Sequence, residues 1–288
     1  MTMKEHPTTC PICSGTIQST HREWLVECRD CGLLASNFSP YEDSESSSGY
    51  TVEQHAEAFE TLRKINADQV LASVAPHLPE HSKIVEIGSA QGFFLTQAKQ
   101  AGYDTLGIEP NSGLFRLSKD AGHNVVQGFF PEALTDDVNG MIAFNDVFEH
   151  LPDIDQAMQD CASKLASGGL LMINLPMRSG FFYKVGAWLD RLGYGVPFAR
   201  LWQEGTMSPH LYYFGIENLE RLANNHGFRL LEHMRLETLT VKGLWQRLRV
   251  TANFGLPTAV IVFVATTLLA PLIRVFPADA RAFVFVKE

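Results

Sequence analysis

The chain has 288 residues, 45% of them hydrophobic and 19% charged, and a net charge of −9. Those proportions exclude a disordered polymer and allow one large domain with appendages. The charge is uneven: Arg229 to Glu288 carries eight Lys/Arg against four Asp/Glu, which leaves −13 on residues 1–228. An acidic body with a basic tail argues against wrapping nucleic acid and suits a negative membrane surface.

Four of the five cysteines fall in the first forty residues, as Cys10-Pro-Ile-Cys13 and Cys28-Arg-Asp-Cys31, with fourteen residues between the pairs. Two C-x-x-C knuckles at this spacing bring four thiolates around a tetrahedral zinc ion. The alternative is two disulfides, which a reducing cytoplasm disfavours. A closed four-cysteine site serves folding or docking, so residues 1–40 read as a structural zinc ribbon. Met1 to Gln18 has no continuous apolar core, so no cleavable signal is expected and the cytoplasm is the default compartment. Residues 41–50 read as a polar linker. From Thr51 to about His77 the apolar positions follow helical spacing, closed by Pro76 and Pro79. Cys161, on a later predicted helix, reads as a buried small residue.

Lys83 to Ile87 reads as a buried parallel strand. It breaks at Gly88-Ser89-Ala90-Gln91-Gly92, and a helix then runs to the Gly102 stop. This order aims backbone N–H groups at the carboxyl edge of a sheet, where open α/β sheets bind ligands. The spacing is Glu-x-Gly-x-Ala-x-Gly, with acidic Glu86 ahead of the first glycine, and it lacks the glycine pattern of a dinucleotide site. It resembles motif I of the class I S-adenosylmethionine-dependent methyltransferases, with Ala90 where the common pattern has glycine. The resemblance implies that Glu86, Gly88, Ser89, Gln91 and Gly92 surround the methionine part of S-adenosylmethionine. It also implies that the preceding helix covers part of that site; a helix that only packs on the sheet is the alternative.

The second strand, Thr105 to Pro110, ends in Glu109, 17 residues beyond Gly92. An acid there accepts the ribose hydroxyls of an adenosine, whichever nucleotide is bound. Asn124 to Gly128 is a third strand, and the resemblance puts Gln127 to Phe130 beside the adenine. Core packing is the alternative for Phe129 and Phe130. Met141 to Asp153 resembles the family's fourth motif, a strand followed by Glu-His-Leu-x-Asp, with Asn145 and Asp146 near the methyl donor and Glu149 and His150 as helix-entry or cleft residues. Gly168-Gly169 before a buried strand is similar to the fifth motif. Helices and strands alternate as right-handed βαβ units require.

Met177 to Pro209 exceeds the minimal fold and is rich in aromatics, so it reads as a substrate lid or a packed helical insertion. His210 precedes a helix at about Ile216–His226, and it joins His150 as a catalytic candidate, as general base or acceptor orienter. An exposed loop histidine is the alternative. Phe228–Leu239 and Ala282–Val286 read as strands six and seven, which completes the expected fold. That fold is a Rossmann-like, seven-stranded, doubly wound α/β sheet with an antiparallel last strand, a small zinc ribbon, and a hydrophobic insertion at 241–277. Residues 51–288 form the methyltransferase domain.

Within the insertion, Val250–Ile273 is a 24-residue stretch without formal charge, flanked by Lys242, Arg247, Arg249 and Arg274. Length alone allows a membrane span. A single crossing, however, would separate strand seven from its sheet, so an interfacial or re-entrant contact is expected, with a homodimer contact as the alternative. The resemblance extends to bacterial enzymes acting on sugars, surface-polysaccharide precursors and secondary metabolites. It implies a small-molecule or lipid-linked acceptor at the inner face of the cell membrane. An RNA methyltransferase is a rival, weakened by a ribbon with three Lys/Arg against four Asp/Glu. A non-catalytic scaffold is a second rival, opposed by intact Glu86, Gly88, Gly92 and Glu109.

Overall fold

The computed structural model describes residues 5–39, 52–239, 244, 245, 248, 256–273 and 275–288. The linker expected at 41–50 and the lead-in to the apolar stretch lie outside the described residues. A seven-stranded sheet is built from β4 (Lys83–Ile87), β5 (Asp104–Glu109), β6 (Val125–Gln127), β7 (Met141–Asn145), β8 (Leu170–Pro176), β10 (Phe228–Arg235) and β11 (Ala280–Lys287). Its order is β10-β11-β8-β7-β4-β5-β6. The five strands from β4 to β8 run parallel. β11 lies antiparallel between β8 and β10. The expected doubly wound sheet with its antiparallel last strand is therefore present.

The central strands are apolar on both faces because helices cover both. Alternate residues separate into two cores. Val85, Ile142, Phe144, Ile173 and Phe283 face one side with α4 (Ile154–Lys164) and α7 (Ile216–Asn225). Ile84, Met141, Ala143, Met172 and Val284 face the other with α1 (Val52–Val74) and α2 (Phe93–Gln100). Cys161 on α4 is fully buried, as its neighbours on that apolar stripe require. Asn111 caps α3 (Ser112–Asp120) by accepting from the Gly113 and Leu114 N–H groups. Strand six stops at Arg235, short of the expected Leu239.

The amino-terminal segment forms β1 (Ile17–Ser19), β2 (Leu25–Cys28) and β3 (Leu34–Ser36), an antiparallel ribbon. A fourth strand, β9 (Tyr212–Tyr213), joins it from the far side of the chain by pairing with β3. Two helices inside the 177–209 segment, α5 (Phe181–Arg191) and α6 (Val196–Leu201), complete the dock. Trp24 packs on Phe198 and Trp202. Asp190, whose side chain is fully buried, pairs with Arg22 and His21. Arg178 pairs with Glu27 at 3.0 Å. Phe198 and Trp202 of the insertion thus face the ribbon, which shares one continuous core with the sheet, while Trp188 and Tyr194 are exposed.

The apolar stretch includes an 18-residue helix, α8 (Leu256–Ile273). At 1.5 Å per residue it is about 27 Å long, short of the ~30 Å bilayer core. No helix among the described residues is long and apolar enough to cross a membrane. Both of its flanking strands belong to one sheet, as the topological argument from the sequence required.

Candidate functional site

The carboxyl ends of β4, β5 and β7 converge on the glycine loop. Gly88 and Gly92 have φ of 67° and 81°, and Ala90 adopts the same left-handed region at 46°. The loop needs these values to reverse tightly from β4 into α2. A Cβ on Gly88 would meet a Val147 methyl at 2.6 Å, and one on Gly92 would meet His123 at 2.5 Å. Glu109, buried at the end of β5, ties the loop down: its two oxygens accept the Ala90 and Asn111 N–H groups, both at 2.8 Å.

One cleft lies over this loop, lined by Glu86, Gly88, Ser89, Asn145, Asp146 and Asn174 and covered by Arg63, Asn66 and Val70 of α1. Glu86 is 4% exposed. Its Oε1 accepts from Asn145 at 2.9 Å. Burial pushes its pKa up to about 8, against the opposing pull of the Asn145 hydrogen bond and the Arg63 charge. Asp146, at φ 53° on the turn after β7, also has a raised pKa through burial. Three buried oxygens in this cleft, Glu86 Oε2, Ser89 Oγ and Asn174 Oδ1, have no hydrogen-bond partner among the described residues. Buried polar atoms are rarely left unpaired, so these mark a place for a polar ligand.

A second cleft adjoins the first through Gly88. Ile108, Pro110, Gly128, Phe129, Val147, His150 and Ser208 line it. Phe129 is 72% exposed there, which removes the core-packing alternative for that ring. Phe130 turns inward and meets Phe144 edge-on at 6.0 Å. Behind His150 lies His210, 6% exposed, so it is no solvent-exposed loop residue. Their rings are 4.8 Å apart. Burial lowers both pKa values, that of His210 to about 3, so both imidazoles are neutral near pH 7. His150 Nδ1 donates to the Pro209 carbonyl at 2.9 Å.

The clefts therefore gather Glu86, Gly88, Ser89, Asn145, Asp146, Pro110, Gly128 and His150. Gln91, Gly92 and Gln127 do not line either one, Glu109 lies beneath the loop, and His210 is one layer behind His150. Sequence reasoning missed Arg63, Asn66, Phe93, Asn174 and Leu236, which also line the first cleft. A lone Arg on a helix or a lone Asn in a buried strand carries no spacing signal.

Away from the clefts, Cys10 and Cys31 place their sulfurs 3.5 Å apart, as do Cys13 and Cys28. All four cysteines are free thiols whose sulfurs lie within 4.8 Å of one another. A tetrahedral zinc with ~2.3 Å bonds needs sulfurs about 3.8 Å apart, so the cluster fits such an ion.

Residues 59–233 match the family described as Methyltransferase domain. The chain belongs to this methyltransferase family. It is 24% identical over 222 residues, 72% of its length, to "C-methyltransferase NovU" of Streptomyces niveus, of which it spans 47%, about half. The same fold occurs in a SAM-dependent methyltransferase of Archaeoglobus fulgidus, with a TM-score of 0.51 and 17% identity, covering 83% of this chain and all of that one. It occurs again in the magnesium protoporphyrin IX methyltransferase of Synechocystis PCC 6803, solved with bound SAH. There the TM-score is 0.53 and identity 11%, over 82% of this chain and 93% of the other.

Proposed function

We propose that this methyltransferase moves a methyl group from S-adenosylmethionine to a small-molecule acceptor, a sugar, lipid-linked saccharide or secondary metabolite. The carrying observation is the first cleft, where an acidic residue and unpaired buried oxygens surround a left-handed loop at the carboxyl edge of a parallel sheet. Glu86 then faces the methionine ammonium, with Gly88 and Ser89 around it and Gln91 and Gly92 shaping the loop that carries them. Pro110 serves the ribose, with Glu109 offering its remaining lone pairs from beneath the loop, and Gly128 and Phe129 serve the adenine at the end of the strand that Gln127 closes. Asn145 and Asp146 flank the methyl donor. The SAH-bound relative and the C-methyltransferase name of the Streptomyces relative support this reading.

The cofactor carries the activated methyl group, so the chain has to align donor and acceptor in a dry cleft. His150 stands on the acceptor side and orients the acceptor, with His210 packed one layer behind it. The four cysteines hold a structural zinc ion, and residues 1–40 act as a docking ribbon on the domain formed by residues 51–288. The carboxyl end of the 177–209 segment walls the acceptor side as a lid. Exposed Ile261, Val264 and Leu268, on one face of α8, support peripheral membrane contact at 241–277. The test is calorimetric titration with S-adenosylmethionine and, separately, NADH. Saturable binding of the first alone is expected, and no binding by folded protein would overturn the reading.

A further inference from the structure

Glu149 poses a problem that methyl transfer does not solve. It is 1% exposed, and both of its side-chain oxygens lack a hydrogen-bond partner among the described residues. Burial holds the Glu149 carboxyl well above the usual carboxylate range, yet two buried oxygens without partners remain costly in either protonation state, so a polar or charged group belongs beside them. His210 Nε2 lies 3.9 Å and His150 Nε2 4.0 Å from Glu149 Oε1. These separations are too long for hydrogen bonds. Two ligands about 2.1 Å from one tetrahedral ion lie about 3.4 Å apart, so these donors reach a shared ion by closing about half an ångström each.

We propose that Glu149, His150 and His210 form a second metal site, for a divalent first-row ion such as Zn2+. All three donor atoms lie within 4.8 Å of one another. One carboxylate and two imidazoles suit borderline ions of this class, and they differ in kind from the four thiolates of the ribbon. The backbone holds the donors in place beforehand. Leu211 N–H donates to the Glu149 carbonyl at 2.8 Å, which locks the His210 segment against the turn after β7. Ser36 Oγ, from the ribbon, donates to the His210 carbonyl at 2.7 Å. The Pro209 carbonyl accepts from His150 Nδ1–H, which leaves Nε2 as the unprotonated nitrogen with a free lone pair. Gln203 Nε2 lies 2.9 Å from His210 Nε2 and gives up that position when the ion binds.

Of the three donors only His150 lines the second cleft, so an ion held by all three has one open side, toward that cleft, the arrangement of a catalytic and not a closed structural site. An acceptor bearing a hydroxyl or enol oxygen is the class that such an ion recognises and polarises. This use rests on the methyl-transfer reading, whereas the site itself rests only on donor geometry.

The test is the zinc content of full-length protein after loading with Zn2+ and gel filtration, for the wild type, Glu149→Gln and His210→Gln. Each variant is expected to hold one zinc fewer than the wild type, whatever the ribbon holds. Equal zinc in all three proteins would overturn the site. S-adenosylhomocysteine titration of the same samples, expected unchanged, shows that the variants are folded. Its failure in the wild type would count against the methyl-transfer reading and not against the metal site. His150→Gln, at a less buried position, provides a third variant with the same expected loss.

Discussion

Glu86 carries the sharpest consequence at the scale of single residues. It keeps its proton in the folded chain up to about pH 8, whereas an unfolded glutamate loses it near about pH 4.3. The folded state therefore binds more protons between those values. The associated stability is complete below about pH 4.3 and is lost as pH rises through about 8. Placing a cofactor ammonium beside Glu86 favours the ionised form, so binding at pH 7 should release nearly one proton. Calorimetry in buffers of differing ionisation enthalpy should reveal this, and Glu86→Gln should abolish it while weakening binding by roughly tenfold or more. Binding enthalpies that ignore the buffer would sink the Glu86 assignment. Glu109 acts differently, because its oxygens already hold two loop N–H groups. Glu109→Ala should weaken cofactor binding and also loosen the loop; unchanged affinity would refute its ribose role. Ala90 occupies a left-handed conformation that costs a non-glycine residue about 1 kcal/mol. Ala90→Gly should leave stability unchanged or raise it by up to about 1 kcal/mol in urea unfolding.

At the scale of elements, the ribbon and the 177–209 insertion are two halves of one interface. Asp190 on α5 receives Arg22 and His21 from the ribbon with its side chain fully buried. Asp190→Ala removes the partner of a half-exposed Arg, and the expected loss is about 1–3 kcal/mol. A shift below about 0.5 kcal/mol in denaturant melts would show that the pair is not structural. The basic-flanked helix α8 belongs to the same scale. Deleting residues 250–274 with a short bridge should abolish flotation with anionic vesicles, since the exposed apolar face is lost and Lys242, Arg247 and Arg249 alone give only weak electrostatic attraction. Continued flotation of the folded deletion variant would contradict the membrane proposal.

For the molecule as a whole, the shared core has a thermodynamic consequence. β9 pairs with β3, and Cys10, Ile12, Trp24 and Phe38 of the ribbon are continuous with Phe148, Phe198 and Phe214 of the body. Removing the zinc proposed for the four cysteines should therefore lower one cooperative unfolding transition. The measurement is thermal unfolding with and without a strong chelator. A separate low-temperature transition, with the main one unmoved, would mean that the ribbon is an independent appendage.

Much of this was legible along the chain because it is written in local patterns. The apolar runs at 84–85, 141–144 and 170–173 specify buried parallel strands, and the glycine spacing specifies the loop at their edge. The paired C-x-x-C knuckles announce a four-thiolate cluster, since its ligands are arranged by two short turns. What only the tertiary structure decided depends on residues distant in sequence. The two-residue β9 is too short to show a period, and it becomes a strand only because β3 offers an edge. Arg63 and Asn174 enter the cleft from α1 and β8, which no spacing rule connects. The unpaired state of Glu149 follows from burial by the 202–214 segment, some sixty residues away. Hydrophobic periodicity reports which face of an element is covered, but it carries no record of what covers it, and the acceptor side of this protein is made of such coverings.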